Sequence, residues 1–298
     1  MPHNHSHPQN QNFSKAFLIG IILNAAYIIV EVVFGVIIKS MALIADAGHN
    51  LSDVLGLMLA WGAAHLAQSP ATINRTYGLR KSTIIAALLN SIILFVAVGA
   101  ILIEAIRKII YPFPVEGTTM MIVASVGVVI NTITALMFLK GRKKDLNIRG
   151  AFLHMTADAG VSLGVVAAGL LINLTGFYLI DPIISLTIVV VIAVGTWGLL
   201  KDSFYLSMDA VPRTIQLEEV KKYLTSLYGV KEVHDLHIWA MSTTETALTV
   251  HLVIPHEQED DLFLSKVCKS LHEKFGIEHS TVQIERTAQS HNCSDEHV

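Results

Sequence analysis

ADAGHNLSD, Ala45–Asp53, sits inside an otherwise apolar run from about Met41 to Trp61. A second stretch, HMTADAG, His154–Gly160, lies in another apolar run. The letters ADAG repeat, but the repeat with chemical content is HxxxD: His49 with Asp53, and His154 with Asp158. On a helix, side chains four residues apart share one face about a turn apart. Two such faces packed together present two imidazoles and two carboxylates around one point. The surrounding solvent decides what that means.

The solvent is lipid. The chain has 298 residues, a mean hydropathy of +0.55, and only 15% charged residues. That is too apolar for a soluble protein of this length. A bilayer core of about 30 Å needs roughly 20 helical residues to cross it. Six segments qualify, at roughly 15–38, 41–67, 81–108, 118–139, 148–173 and 179–200. Their apolar runs are continuous, not alternating, which excludes barrel strands. The start, MPHNHSHPQNQNFSK, is polar and His-rich, and the apolar run after it is too long for a signal-peptide core. It reads as a retained anchor.

Loop charge sets the orientation. Lys15, Arg75, Arg80, Lys81, Lys140, Arg142, Lys143, Lys144, Arg149 and Lys201 fall on one side; Lys39, Arg107 and Lys108 fall on the other. The richer side is expected to be cytoplasmic, with both termini there. The expected domains are a His-rich tail (1–14), a six-span bundle (15–200), a linker (201–211), a cytosolic α+β domain (212–287) and a C-terminal tail (288–298).

The cytosolic domain is acidic: residues 212–298 hold 8 Lys and Arg against 14 Asp and Glu. That argues against nucleic acid as its partner. Cys268 and Cys293 make no disulfide framework and suit a reducing compartment. Thr214–Gly229 reads as an amphipathic helix, and Asp260–Phe275 as a second one stopped by Gly276. KEVHDLHIW, TALTVHLVIP and HSTVQIER read as strands. The order αββαβ predicts a sheet covered on one face by helices. The other face is then free for solvent or for dimerisation.

Charged residues at membrane depth are costly and mark pathways or sites. Asp181 and Glu104 lie near span ends, where water is one partner. Glu31 fits helix–helix adhesion. Gly48, Gly56, Gly160 and Gly164 suit close helix approach. His49, Asp53, His154 and Asp158 form an N₂O₂ set suited to tetrahedral Zn²⁺. With 1.5 Å of rise per residue, Asp53 and Asp158 both fall roughly 20 Å into their spans, near the midplane. Four protein donors leave no place for a reactive water, which disfavours hydrolysis. Asp46, a turn before His49, is either a support that orients His49 or a carboxylate on a proton path; Asn50 is open to the same two readings.

Ligation needs neutral imidazole and ionised carboxylate, so a dication competes with protons for the set. That is the ingredient of a metal/proton antiporter with alternating access to a midplane site. The alternatives are a metal-dependent membrane enzyme, which needs an open coordination position and finds no HExxH here, and a membrane-anchored metal sensor that moves no ion. In the tail domain, His234, His251 and Glu285 fall on three strands, as a metal site or as surface residues. His237, three residues from His234, is expected on the opposite strand face. His3, His5, His7, His291, Cys293 and His297 lie in tails that either capture metal weakly or are inert.

The assembled pattern resembles the cation diffusion facilitator family, in particular its bacterial zinc-exporting branch. The resemblance rests on LIADAGHNLSD, HMTAD, the basic loop KGRKKDLNIRGA and VHDLHIW, and it spans almost the whole chain. It implies a homodimer of six-helix protomers exporting Zn²⁺ from the cytosol in exchange for H⁺; the donor set itself favours Zn²⁺ over Mg²⁺ or Ca²⁺ but does not separate it from Cd²⁺, Co²⁺ or Ni²⁺. It implies a transport site at His49, Asp53, His154 and Asp158. It also implies a ferredoxin-like cytosolic domain that dimerises and binds zinc through His234, His251 and Glu285. One departure is clear. The loop QSPATINRTYGLRKST, 68–83, has no His, Asp, Glu or Cys, so the further metal site some members carry there is not expected.

Overall fold

The structure, a computed structural model, describes residues 10–139, 146–255 and 260–287, with side chains from residues 22, 152 and 261 onward in each segment. Lys140 and Arg142–Lys144, the side chain of Arg149, His256 and the histidine-bearing tails lie outside the described residues.

Six long helices come first: α1 (Asn10–Ile37), α2 (Met41–Ala67), α3 (Ser82–Ile110), α4 (Gly117–Phe138), α5 (Leu146–Thr175) and α6 (Ile180–Ser207). By length and composition, α3, α4, the Phe152–Thr175 part of α5, and α6 can each cross a membrane. The described side chains of α1 add the shorter apolar stretch Ile22–Ile37. α2 has 27 residues, enough to span, but Asp46, His49, Asn50, Ser52 and Asp53 interrupt its apolar run. The helix whose apolar run is interrupted is thus one of the two that carry the site.

By its contacts the chain divides into two units. One comprises residues 1–58 and 90–198, the other residues 59–89 and 199–298. In the first, Leu43, Ala45, Val98, Met120, Val123 and Val165 are among the buried core residues. Large apolar side chains such as Ile29, Ile103, Val129, Leu136, Val190 and Val194 face outward. An apolar exterior of this kind needs an apolar solvent.

Close packing uses two of the four glycines the sequence suggests, and others besides. A Cβ on Gly117 would lie 2.6 Å from the Gly169 carbonyl oxygen, and one on Gly169 would lie 2.8 Å from that of Gly117, so the pair lets α4 and α5 touch backbone to backbone. A Cβ on Gly127 would overlap the Tyr27 ring. A Cβ on Gly56 would lie 2.9 Å from the Asn90 side chain and one on Gly48 3.2 Å from Ile101, whereas one on Gly160 or Gly164 would meet nothing within 4 Å. Small residues in a helix do not by themselves say which face is packed.

Asp181 corrects a second expectation. It is fully buried, not wetted at a span end. Its carboxylate accepts the Ser40 hydroxyl at 2.6 Å and the backbone N–H groups of Met41 (2.8 Å) and Ala42 (3.1 Å). The first N–H groups of a helix have no intrahelical partner, and α6 supplies one to α2 from its own first turn. That cap fixes where α2 begins, and so the depth of His49 and Asp53. Glu104 is half-buried and paired with Arg107 at 3.0 Å.

In the second unit, α7 (Leu217–Thr225), β1 (Glu232–Ala240), β2 (Thr246–Val253), α8 (Asp260–Phe275) and β3 (His279–Glu285) follow in the expected αββαβ order. α7 is shorter than expected because Gln216 is still extended; Gly229 turns the chain with φ +85°. α6 runs on to Ser207, so Lys201 and Asp202 are helical. The sheet order is β1-β2-β3, antiparallel then parallel, with α8 as the crossover. Ile238, Leu248, Val250 and Leu252 pack with Val220, Leu224, Val267 and Leu271 of the helices in one core. Among the described residues, no helix covers the opposite sheet face.

Within this unit, the basic loop ahead of α3 meets the acidic domain. Arg80 pairs with Glu245 at 2.9 Å, Lys81 with Asp209 at 2.6 Å, and Thr243 N–H donates to the Thr83 hydroxyl at 3.0 Å.

Candidate metal centres

The two HxxxD pairs come together. His49 Nδ1 lies 3.7 Å from Asp53 Oδ2, as expected for one helix face, and His154 Nε2 lies 3.6 Å from Asp158 Oδ2. The pairs also cross. His49 Nε2 lies 3.4 Å from Asp158 Oδ1, and His154 Nε2 lies 3.3 Å from Asp53 Oδ2. The rings stand edge to face with centroids 6.2 Å apart.

The shorter separations are those found around a single ion, which would take only one of the two His49 ring nitrogens. A tetrahedral centre with bonds of about 2.0–2.1 Å has donor–donor edges of about 3.3–3.4 Å. One ligand atom each from His49, Asp53 and Asp158 lies within 4.8 Å of the others; His154 is outside this compact group and borders it through Asp53 and Asp158. Three of the buried donors, His49 Nδ1, Asp53 Oδ2 and Asp158 Oδ1, have no hydrogen-bond partner. Buried polar atoms are rarely left so. They are near one another without being aimed at one another, as donors sharing a cation are.

A polar frame surrounds the set. Ser162, one turn beyond Asp158, donates to Asp46 Oδ2 at 2.9 Å, tying α5 to α2. Asn50 Nδ2 donates to Glu31 Oε2 at 3.2 Å, tying α2 to α1. Asn24 Nδ2 contacts Met155 Sδ at 3.6 Å, tying α1 to α5. Asp46 and Glu31 are fully buried. Sequence reasoning missed Ser162. Its one available signal is its position, i+4 from Asp158 on the site-facing side of α5.

The second cluster lies on the helix-free sheet face. His234 and His251 sit opposite each other on β1 and β2. Glu285 Oε2 is 3.1 Å from His234 Nε2, and its Oε1 is 3.1 Å from His251 Nδ1. The three ligand atoms form a compact N/N/O group. His251 Nδ1 is buried without a hydrogen-bond partner, again facing its neighbour without bonding it. That set fits a zinc-like ion.

The strand alternation expected for His237 fails. His234 pairs with His251 but His237 pairs with Thr249, two residues away on β2, so β1 holds an extra residue between them. His234 and His237 therefore share a face. The extra residue is Asp235, left-handed at φ +50°, a conformation Asp tolerates better than most residues. Its Oδ1 is 2.8 Å from His237 Nε2 and its Oδ2 is 3.3 Å from His251 Nε2. The His237 contact, followed by the nearby His251 and His234, holds the Asp235 carboxyl below the ordinary carboxylate range. At Glu285, burial pulls the carboxyl up, but the Gln283 amide donating at 3.0 Å and His234 outweigh it, and the carboxyl rests below its ordinary range.

Comparison with known proteins gives a family. The model of the cation efflux transmembrane domain matches residues 17–206, and that of the cation efflux protein cytoplasmic domain matches 212–287. A cation efflux system protein CzcD from Alcaligenes sp. is 37% identical over 95% of this chain and 89% of its own length. A cadmium, cobalt and zinc/H(+)-K(+) antiporter from Bacillus subtilis is 34% identical, covering 98% and 94%. The zinc transporter ZitB of Escherichia coli is 34% identical, covering 96% and 93%.

Proposed function

Because the chain belongs to the cation efflux family, a family of multi-pass membrane transporters and not of enzymes, we propose that it exports Zn²⁺ from the cytosol in exchange for protons. The cargo binds at His49, Asp53, His154 and Asp158. Cd²⁺, Co²⁺ and Ni²⁺ compete for the same donors, which are too nitrogen-rich to favour Mg²⁺ or Ca²⁺. The observation that carries this reading is the crossed geometry: each histidine faces the carboxylate of the other helix as closely as its own.

Proton exchange follows from the same donors. Without the ion, the buried Asp158 carboxylate and the half-buried Asp53 beside it are left to be balanced by protons on the cluster. A dication that takes all four donors displaces those protons, and its departure invites them back. Alternating access of the cluster to the two membrane faces then couples the two fluxes.

The pairing of Arg80 with Glu245 and of Lys81 with Asp209 puts the basic loop beside the acidic domain. Basic loops favour the cytosol, so this supports a cytosolic domain and cytosolic termini in a bacterial inner membrane. The helix-free sheet face of that domain suits a homodimer. His234, His251 and Glu285 there hold a second, regulatory zinc-class ion.

The test is transport by the purified full chain in sealed liposomes. An imposed pH gradient is expected to drive zinc uptake against its own gradient, with matching proton release. Zinc movement indifferent to the pH gradient overturns the antiport reading. Binding without any movement favours a sensor instead.

A further inference from the structure

The open sheet face carries a longer array than the three donors of the cytosolic centre. His237 Nε2 meets Asp235 Oδ1 at 2.8 Å, and Asp235 Oδ2 lies 3.3 Å from His251 Nε2. His251 Nδ1 lies 3.1 Å from Glu285 Oε1, and Glu285 Oε2 lies 3.1 Å from His234 Nε2. Imidazole and carboxylate alternate through five side chains. Three of them account for the ion; Asp235 and His237 are unused.

Asp235 reaches this face only because of the bulge. Regular alternation after His234 would turn residue 235 towards the helices, where Val233 and Leu236 pack. The left-handed backbone at Asp235 absorbs the extra residue and leaves its carboxylate between the two imidazoles. Such a conformation is uncommon outside glycine and is usually kept for a reason.

A neutral imidazole has one proton and one lone pair. The His251 ring presents Nδ1 to the Glu285 side, buried and without a hydrogen-bond partner, and Nε2 to Asp235. Resting on the reading of this cluster as a metal centre, we propose that Asp235 is its positioning residue: the carboxylate accepts a hydrogen bond from Nε2–H of His251, holding the proton on that nitrogen, and so turns the Nδ1 lone pair to the ion shared with His234 and Glu285. His237 clamps Oδ1 of Asp235 and leaves Oδ2 for His251. Carboxylates behind ligating histidines orient the ring and raise its basicity, and their loss typically costs 10–100-fold in metal affinity.

The experiment titrates zinc against a chromophoric chelator on the purified full chain, with the membrane site silenced by His49→Ala and Asp158→Ala. In that background, Asp235→Ala is expected to weaken cytosolic binding by about tenfold or more. Asp235→Asn, which keeps a carbonyl acceptor, restores most of it, and the thermal melts stay alike. In protein labelled with ¹⁵N-histidine, a downfield ring N–H resonance, assigned by its loss in His251→Gln, should disappear in Asp235→Ala and persist in Asp235→Asn. An Asp235→Ala affinity within twofold of the background, or a His251 resonance that survives Asp235→Ala, overturns the proposal while the metal centre stands. If His251→Ala leaves zinc stoichiometry and affinity unchanged, the metal centre itself is wrong, and the proposal falls with it.

Discussion

Nε2 of His49 on α2 lies 3.4 Å from Oδ1 of Asp158 on α5, although 109 residues separate them. That contact, and its counterpart between His154 and Asp53, brings two local motifs to one place. If an ion draws all four donors together, no one of them is dispensable. Asp158→Asn should cut zinc affinity by more than about a hundredfold, beyond the 10–100-fold cost of losing an outer partner. Radiotracer uptake and equilibrium binding on the same preparation would check it. Near-normal binding with lost transport would assign Asp158 to the proton instead.

Ser162 donates to the buried Asp46 carboxylate. Ser162→Ala leaves that acceptor stranded, at a cost of about 1–3 kcal/mol or more for a charged group. The expected outcome is a lower melting temperature in detergent, with zinc still bound at the membrane site. A melt unchanged from the parent would mean that water replaces the hydroxyl.

The glycines offer a paired test. Gly127→Ala forces a Cβ into the Tyr27 ring, whereas Gly160→Ala adds one where nothing lies within 4 Å. Overpacking a tight core costs about 1–3 kcal/mol, and alanine in an open helical position gains up to about 1 kcal/mol. Thermal melts of the two variants should therefore move in opposite directions. Equal behaviour would contradict the packing of α1 on α4.

Acid should loosen the cytosolic domain in a defined window. Asp235 and Glu285 both have folded-state pKa values below the ordinary carboxylate range. Each therefore contributes stability that is present above its unfolded pKa, about 4, and is lost as pH falls through the lower folded value. With Trp61 and Trp197 replaced by Phe, Trp239 fluorescence should report loss of stability below about pH 4. Glu285→Gln should flatten that dependence. A stability profile of the same slope in Glu285→Gln would remove Glu285 from the cause.

Two kinds of information separate in this chain. The sequence alone determined what is periodic or compositional. The i, i+4 spacing put His49 with Asp53 and His154 with Asp158. Continuous apolar runs announced lipid as the solvent, and the αββαβ order of the last domain could be read from alternation, Gly229 and Gly276. These are consequences of 3.6 residues per turn, two per pleat and the cost of a bare backbone in hydrocarbon. The tertiary structure decided everything that depends on a partner far along the chain. It placed Asp158 against His49, buried Asp181 as a cap for α2, and chose Gly117, Gly127 and Gly169 over Gly160 and Gly164 for close contact. It also put Asp235 into a bulge that brings His237 to the face of His234. A single extra residue in one strand reverses every side chain beyond it. No alternation rule applied to that strand by itself can reveal it, because the register is set by the neighbouring strand.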